Sequence, residues 1–145
     1  LFFYHSINKI NDNIQEYKLL KDLKLGGCFR LYPAELGIYS ALSKNFRLEE
    51  YSKIQLNCYV MQALEAKGYS PFFWESGSKA SIDFLIKTQD GIIPIEIKSE
   101  DGSRSKSLSI YRQQHKFPYS IKISSCNFEF SDSVKQIPYY AVFCL

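Results

Sequence analysis

Residues 80–98 read ASIDFLIKTQDGIIPIEIK, and their pattern says most about the fold. On each side of Asp90 and Gly91, apolar and polar side chains alternate with the period of two that is typical of a β-strand. The Asp-Gly pair between these two runs is a strong signal of a tight turn between antiparallel strands. We therefore expect a β-hairpin whose turn contains Asp90 and Gly91.

The hairpin is expected to bring three charged side chains onto one face. With a two-residue turn, counting back along the ladder places Asp83 opposite Lys98, and Glu96 lies on the same face. Moving the turn by one residue in both strands leaves the faces unchanged. The other face then carries six apolar side chains, which are Ile82, Phe84, Ile86, Ile93, Ile95 and Ile97. Pro94 donates no ladder bond, so we expect it at an unpaired position or a bulge.

The elements around the hairpin are predicted from their own periodicity. A helix is expected from about Leu48 to Lys67, followed by a strand in SPFFWES (70–76) and, beyond the hairpin, a helix in residues 102–116. The helical stripe of the first helix consists of Ile54, Cys58, Met61 and Leu64. Residues 120–130 predict another strand or strand pair, and the apolar IPYYAVFCL (137–145) predicts a buried last strand.

The element order from residue 48 onward is α-β-β-β-α-β, followed by the terminal strand. This order predicts an α/β fold in which helices flank a mixed β-sheet. We assign residues 48–145 to this core. Residues 1–47 are expected to form a helical or irregular segment that leads into it. Within this segment, residues 7–25 are rich in Asn and Lys and predict a polar strand or loop that runs into a helix or hairpin.

The composition excludes several classes of protein. The chain has 145 residues, 46% hydrophobic and 16% aromatic, so it can build one compact core and is not intrinsically disordered. A net charge of +3 permits contact with nucleic acid without requiring it. No apolar run approaches the ~18 residues of a membrane span and no signal peptide is evident, so we expect a cytoplasmic protein without membrane contact. The cysteines form no CxxC motif and are expected to be reduced and mostly buried; they are Cys28, Cys58, Cys126 and Cys144.

The charged face of the hairpin has two interpretations. Asp83 and Glu96 would repel each other unless a cation lay between them, and carboxylate oxygens suit Mg²⁺ or Mn²⁺. The Ile97 carbonyl would be a further ligand, and the Lys98 ammonium would orient water and stabilise charge on a phosphate. Alternatively, the face is simply the solvated side of a half-buried antiparallel pair, with Asp83 opposite Lys98 as a favourable cross-strand pair.

Three motifs carry a resemblance to a known family. They are WESGSKASIDF at 74–84, IPIEIKS at 93–99, and the serine-rich basic start of the second helix at 103–108. FRLYPAELGIYSAL at 29–42 and the closing IPYYAVFCL match two further segments. From about residue 29 to the end, the chain resembles the domain of unknown function at the C-terminus of many prokaryotic AAA-type ATPases. That family in turn resembles the restriction-endonuclease-like PD-(D/E)xK fold.

The resemblance implies roles for particular residues. Asp83 and Glu96 would be the metal carboxylates and Lys98 the catalytic lysine, while Gln62 on the first helix would help to position the site. The implied partners are DNA and the AAA-type ATPase domain of the same chain, and the implied cofactor is Mg²⁺ or Mn²⁺ if the site is active. No GxxxxGK[ST] motif is present, so these residues cannot themselves form the ATPase.

Two departures from the family pattern lower the negative charge of the site. Asn57 stands where family members carry Glu on the helix, and Ser81 stands before Asp83 where many have Glu. These departures favour a module that binds nucleic acid or a partner through a degenerate metal site. The alternatives are an active Mg²⁺-dependent DNA phosphodiesterase and a purely structural or regulatory domain, in which case the chain could assemble as an oligomer. Arg104, Lys106 and Arg112 are the candidates for contact with phosphate, or else form a solvated helix face.

Overall fold

The fold is a mixed eight-stranded sheet with helices on both sides. The computed structural model of the chain describes residues 4–10, 28–37, 48–77, 79–98 and 105–145. The strands are β1 (Tyr4–Ile10), β2 (Phe29–Pro33), β3 (Phe72–Ser76), β4 (Ala80–Thr88), β5 (Gly91–Ile97), β6 (Ser120–Ser124), β7 (Glu129–Ser131) and β8 (Val134–Pro138). The helices are α1 (Leu48–Ala66), α2 (Lys106–Gln114) and a 3₁₀ helix (Tyr139–Cys144). The predicted α/β class and its mixed sheet are confirmed.

The sheet runs in the order β2-β1-β3-β4-β5-β6-β8-β7. Its centre is the antiparallel series β3, β4 and β5, and β5, β6 and β8 continue it as parallel neighbours. On the other side β1 runs parallel to β3 and antiparallel to β2. The segment expected to be helical or irregular therefore contains two strands of the sheet. Its alternation is hard to recognise because Phe29 and Leu31 of β2 are apolar yet exposed.

The predicted hairpin is present, with its turn one residue earlier than the Asp90-Gly91 placement. Thr88 pairs with Gly91, so the two turn residues are Gln89 and Asp90. The Thr88 hydroxyl accepts a hydrogen bond from the Asp90 N–H at 3.2 Å and donates one to the Gly91 carbonyl at 3.2 Å. Pro94 pairs with Leu85 on the β4 side, and the ladder to β6 begins at Ile95. Its missing N–H therefore leaves no gap in either ladder.

A β-bulge in β4 changes the expected faces. The register between β3 and β4 shifts between the pairs Phe72–Leu85 and Trp74–Ile82. An extra residue in β4 is the reason that Ile82 and Leu85 both pack with Trp74 on one side of the sheet. The prediction that six apolar side chains share one face is therefore wrong for Ile82. The other five do pack together.

The core has two layers, one on each side of the sheet. The larger layer lies between the sheet and α1, where Cys58, Met61 and Leu64 are buried. Ile54 was expected on the same stripe but is 37% exposed and is not part of this apolar layer. The smaller layer lies under α2, where Leu108 and Tyr111 pack on Trp74.

The start of α2 and the end of α1 carry recognisable caps. Ser105 caps α2, because its hydroxyl accepts a hydrogen bond from the Leu108 N–H at 2.9 Å. Gly68 follows α1 with φ +79°, a left-handed conformation that glycine adopts at little cost. Among the described residues, neither helix is long and apolar enough to span a lipid bilayer.

The expected terminal strand and the expected burial of the cysteines need correction. Residues 139–144 form a 3₁₀ helix rather than a strand, and Tyr140 and Phe143 are exposed at a spacing of three residues. The apolar run alone could not distinguish these two conformations. All four cysteines are free, as expected, but only Cys58 is buried. Cys28 and Cys144 are exposed, and Cys126 is half-buried.

Replacing Gly91 should strain the hairpin that carries both site carboxylates. Gly91 has φ +125°, a conformation that L side chains rarely adopt, although a Cβ would meet no atom closer than Pro118 Cδ at 3.9 Å. We expect Gly91→Ala to lower the free energy of unfolding by about 1–3 kcal/mol through backbone strain. Chemical denaturation measures this change in the free energy of unfolding. Gly37→Ala is the matched control, since Gly37 has an ordinary φ and open space. Equal stability of the two variants would contradict the prediction.

Candidate functional site

Asp83 is a buried carboxylate at the bulge of β4. Its side chain is 8% exposed, and Oδ2 accepts a hydrogen bond from the Ile97 N–H at 2.8 Å. Burial raises the pKa of Asp83 above its ordinary value, and the nearby negative charge of Glu96 acts in the same direction. The hydrogen bond from Ile97 and the positive charges of Lys53 and Arg30 oppose this rise.

The positive charges near Asp83 come from β2 and α1. Arg30 forms an ion pair with Glu75, and its guanidinium lies 4.2 Å from the centre of the Phe73 ring. Burial raises the pKa of Tyr32, and the charge of Asp83 contributes to that rise. Asp83 therefore lies in an enclosed site where charge is poorly hydrated, as is common at functional sites.

Glu96 and Lys98 form a close ion pair at the end of β5. Lys98 Nζ lies 2.9 Å from Glu96 Oε1, and the Glu96 residue is only 4% exposed. The second oxygen, Oε2, is buried and has no hydrogen-bond partner among the described residues. The Lys98 backbone is held on both sides: its N–H donates to the Ile123 carbonyl at 2.9 Å, and the Tyr139 hydroxyl donates to its carbonyl.

A cavity of about 400 Å³ opens beside Glu96, between α2 and strands β6–β8. Lys122 is the register partner of Glu96 on β6, and Gln136 is the partner of Lys122 on β8, so the three form one row across the sheet. All three line the cavity, and α2 contributes Arg112 opposite them. Its remaining lining includes Ser105, Leu108, Ser109, Ser131, Asp132 and Val134. Two cationic side chains thus lie next to the ion pair.

The predicted site residues fall into two groups. Asp83, Glu96, Ile97 and Lys98 are brought together by the hairpin, and Arg112 lines the adjacent cavity. Gln62 instead donates a hydrogen bond to the Ala34 carbonyl, which fastens α1 to the turn after β2. Lys106 is exposed at the start of α2. Arg104 lies outside the described residues.

Three side chains on β4, β5 and α1 carry oxygen atoms that make no hydrogen bond among the described residues or make one with only one of their oxygens. Asp83 has a second carboxylate oxygen beside the one bonded to Ile97, and Glu96 Oε2 has no donor. On α1, Asn57 Oδ1 is likewise buried without a hydrogen-bond partner among the described residues, one turn from Lys53. Oxygens of this kind fit Mg²⁺ or Mn²⁺. Within the described ranges, no group of three His, Cys, Asp or Glu side chains is placed to hold a metal ion.

Sequence reasoning missed the cations around the carboxylates. Arg30 and Lys53 affect Asp83, and Lys122 lies beside Glu96, although none of them was a candidate. The alternation in SIKIS (120–124) already placed Lys122 on the opposite face to its isoleucine neighbours. Only the pairing of β5 with β6 shows that this face is the one that carries Glu96.

Removing the charge of Asp83 should stabilise the fold. The pKa of Asp83 is higher in the folded state than in the unfolded state. The free energy of unfolding therefore falls as pH rises from the ordinary Asp pKa of about 3.9 to the raised pKa, and it remains at the lower value at higher pH. Asn keeps an oxygen that can accept from Ile97. We expect Asp83→Asn to raise the melting temperature by ~3 °C or more near neutral pH, with the gain disappearing towards about pH 4.

The matched control for this measurement is Asp132→Asn, which neutralises an exposed aspartate with a positive φ that Asn also tolerates. We expect this control to change the melting temperature little at any pH. A lower melting temperature for Asp83→Asn near neutral pH would show that the charged carboxylate stabilises the fold.

A comparison with known families matches residues 55–142 to a domain of unknown function, DUF4143. The matched segment contains most of α1, the strands β3–β8 and α2, so it includes both site carboxylates and Lys98. No curated protein and no solved structure matches the chain. Because the match extends over well more than half of the sequence, the chain belongs to the DUF4143 family.

Proposed function

We propose that this chain is a nuclease-like domain that binds nucleic acid beside a degenerate divalent-metal site. The observation that carries the proposal is the ion pair between buried Glu96 and half-buried Lys98, which lies next to a cavity lined by Arg112 and Lys122. A carboxylate and an ammonium held 2.9 Å apart are the groups that metal-dependent phosphodiester chemistry uses. Cations beside them are suited to phosphate oxygens.

The metal site is proposed to be weak because it has few charges. Asp83 and Glu96 supply two carboxylates, while Asn57 offers only a neutral oxygen at the helix position where the resembling family carries Glu. A divalent cation gains less from a neutral amide than from a carboxylate, and metal affinity follows the number of charged ligands. When bound, the metal would supply Lewis-acid charge. Lys98 would hold a proton and a positive charge beside the phosphate.

The proposed contact surface for nucleic acid follows α2. Lys106 and Arg112 are exposed, and Arg104 precedes them in the sequence. The Arg112 guanidinium lies 5.1 Å from the centre of the Phe117 ring. This contact already restricts the side chain, so Arg112 would lose less conformational entropy on binding phosphate. With the cavity cations, these residues would guide a nucleic-acid backbone towards Glu96 and Lys98.

An active Mg²⁺- or Mn²⁺-dependent DNA phosphodiesterase is the second candidate. The position of Lys98 favours this candidate. Hydrogen bonds to Ile123 and Tyr139 fix the Lys98 backbone, and catalytic groups need such positioning. In this case Asp83, Glu96 and the Ile97 carbonyl hold the metal and Gln62 acts as a positioning residue. A purely structural or regulatory role within an AAA-type ATPase, in the cytoplasm, is the third candidate and rests on the resemblance alone.

Restoring an acid on α1 should strengthen metal binding. Asn57→Asp adds a carboxylate where a buried amide oxygen has no partner. We expect the Mn²⁺ concentration that raises the melting temperature to fall at least about tenfold, equivalent to ~1.4 kcal/mol. Glu96→Ala in the same background should abolish the shift.

Gln55→Glu is the matched control for this experiment. It makes the same amide-to-acid change two residues earlier on α1, where the side chain leaves the helix on a different face. If the two variants responded alike to Mn²⁺, the effect would be general charge and the proposed site would be wrong. Cleavage of plasmid DNA by the unaltered chain with Mn²⁺, lost in Lys98→Ala, would instead establish the active enzyme.

Charge reversal on α2 should weaken binding to DNA. We expect Lys106→Glu and Arg112→Glu to lower affinity at low salt, and each lost phosphate contact to reduce the salt dependence by about 0.9 in log–log slope. Fluorescence anisotropy with labelled duplex and single-stranded DNA measures both quantities. Lys135→Glu, an exposed reversal on β8, is the control that should bind as before. Unchanged binding in the α2 variants would refute the proposed surface.

A further inference from the structure

We propose that the cavity under α2 binds one nucleotide of a single nucleic-acid strand. An amino group of the base would donate to Glu96 Oε2, and the phosphate would contact Arg112 and Lys122. This inference rests on the proposed function, because it names the part of the nucleic acid that reaches the site. It adds a preference among bases, which binding through phosphates alone does not provide.

The first reason is the unsatisfied oxygen of Glu96. The residue is 4% exposed, Lys98 occupies Oε1, and Oε2 is buried without a hydrogen-bond partner among the described residues. A buried acceptor in this condition is costly unless a donor reaches it. Glu96 lines the cavity, so a rotation of its carboxylate would bring Oε2 within reach of a donor on a molecule bound there.

The second reason is the pair of cations that share the cavity with Glu96. Lys122 is next to Glu96 in the sheet register, and Arg112 lines the cavity from α2. Since Lys98 neutralises Glu96, Asp132 is the remaining acidic group in the lining. A ligand that carries both a hydrogen-bond donor and an anion therefore matches the site better than a simple anion does.

The third reason is the size of the cavity. Its volume of about 400 Å³ lies near the lower end of the range for small-molecule sites. Leu108 and Val134 give it an apolar part suited to the face of a base. A base can enter such a space only when it is unpaired and unstacked, so the strand must be single or locally opened.

The chemistry of Glu96 predicts which bases fit. A carboxylate accepts from the N4 amino group of cytosine, whereas thymine presents the O4 acceptor at the corresponding position. In that pose thymine would place two acceptors against each other, and it would have to shift in the cavity to offer its N3–H donor instead. With Lys98 on the other oxygen, Glu96 makes a single such hydrogen bond, so the preference should be moderate.

The test compares short oligodeoxycytidine with oligothymidine by fluorescence anisotropy in EDTA, which keeps divalent metal away from Glu96. We expect the unaltered chain to bind the cytosine strand roughly three- to tenfold more tightly. Glu96→Gln should bring the two affinities close together, because an amide can donate to thymine O4 as well as accept from cytosine N4. Melting curves confirm that the variant is folded.

A second variant distinguishes the phosphate contact from the base contact. Lys122→Met keeps the length of the side chain; it should weaken binding of both strands, lower the log–log salt slope by about 0.7 and retain the cytosine preference. Lys135→Met is its control, because Lys135 is exposed on β8 and does not line the cavity.

Two outcomes separate this inference from the function on which it rests. Equal affinity for the two strands, together with equal affinities of Lys122→Met and Lys135→Met, would overturn the nucleotide site. The proposed DNA-binding function would survive that result if charge reversal at Lys106 and Arg112 still weakened binding. If the chain bound no nucleic acid even at low salt, both the function and the inference would fail.

Discussion

The hydrogen bond from the Ile97 N–H to the Asp83 carboxylate joins β4 and β5 where their regular pairing stops. The ladder between the two strands is continuous only as far as Phe84 and Ile95. Beyond that pair, the bulge in β4 moves the β4 backbone out of register with β5. The Asp83 carboxylate then accepts the hydrogen bond from the Ile97 N–H that a β4 carbonyl would otherwise accept. The Asp83 carboxylate therefore has a structural function in joining the two strands.

This arrangement holds two carboxylates in a sheet that is buried on both sides. Asp83 is stabilised by the Ile97 N–H and by the charges of Lys53 and Arg30, yet burial still raises its pKa. Glu96 is compensated by Lys98 on only one of its two oxygens. A core built for stability alone would place apolar side chains here, because burying a charged group costs free energy unless it is fully paired.

Local patterns were sufficient to predict the hairpin and both helices, but not that Asp83 and Glu96 are buried rather than solvated. The hairpin and the helices each depend on residues close in sequence, such as Ser105 capping α2 or Asp90 in the turn. The bulge at Asp83 was not predictable, because an inserted residue is defined only relative to the neighbouring strand. Lys122 was missed for the same reason: its place beside Glu96 depends on strands that are far apart in the chain.

The parallel pairing of β1 with β3 has a consequence for the order in which the chain can fold. Lys9 pairs with Phe73, so the intervening segment must be synthesised before β1 finds its neighbour. Closing so long a loop costs entropy and slows folding, whereas the β4–β5 hairpin closes over a two-residue turn. β2 precedes β3 and can cover one edge of β1 early, while the other edge of β1 stays open to other chains until β3 emerges from the ribosome.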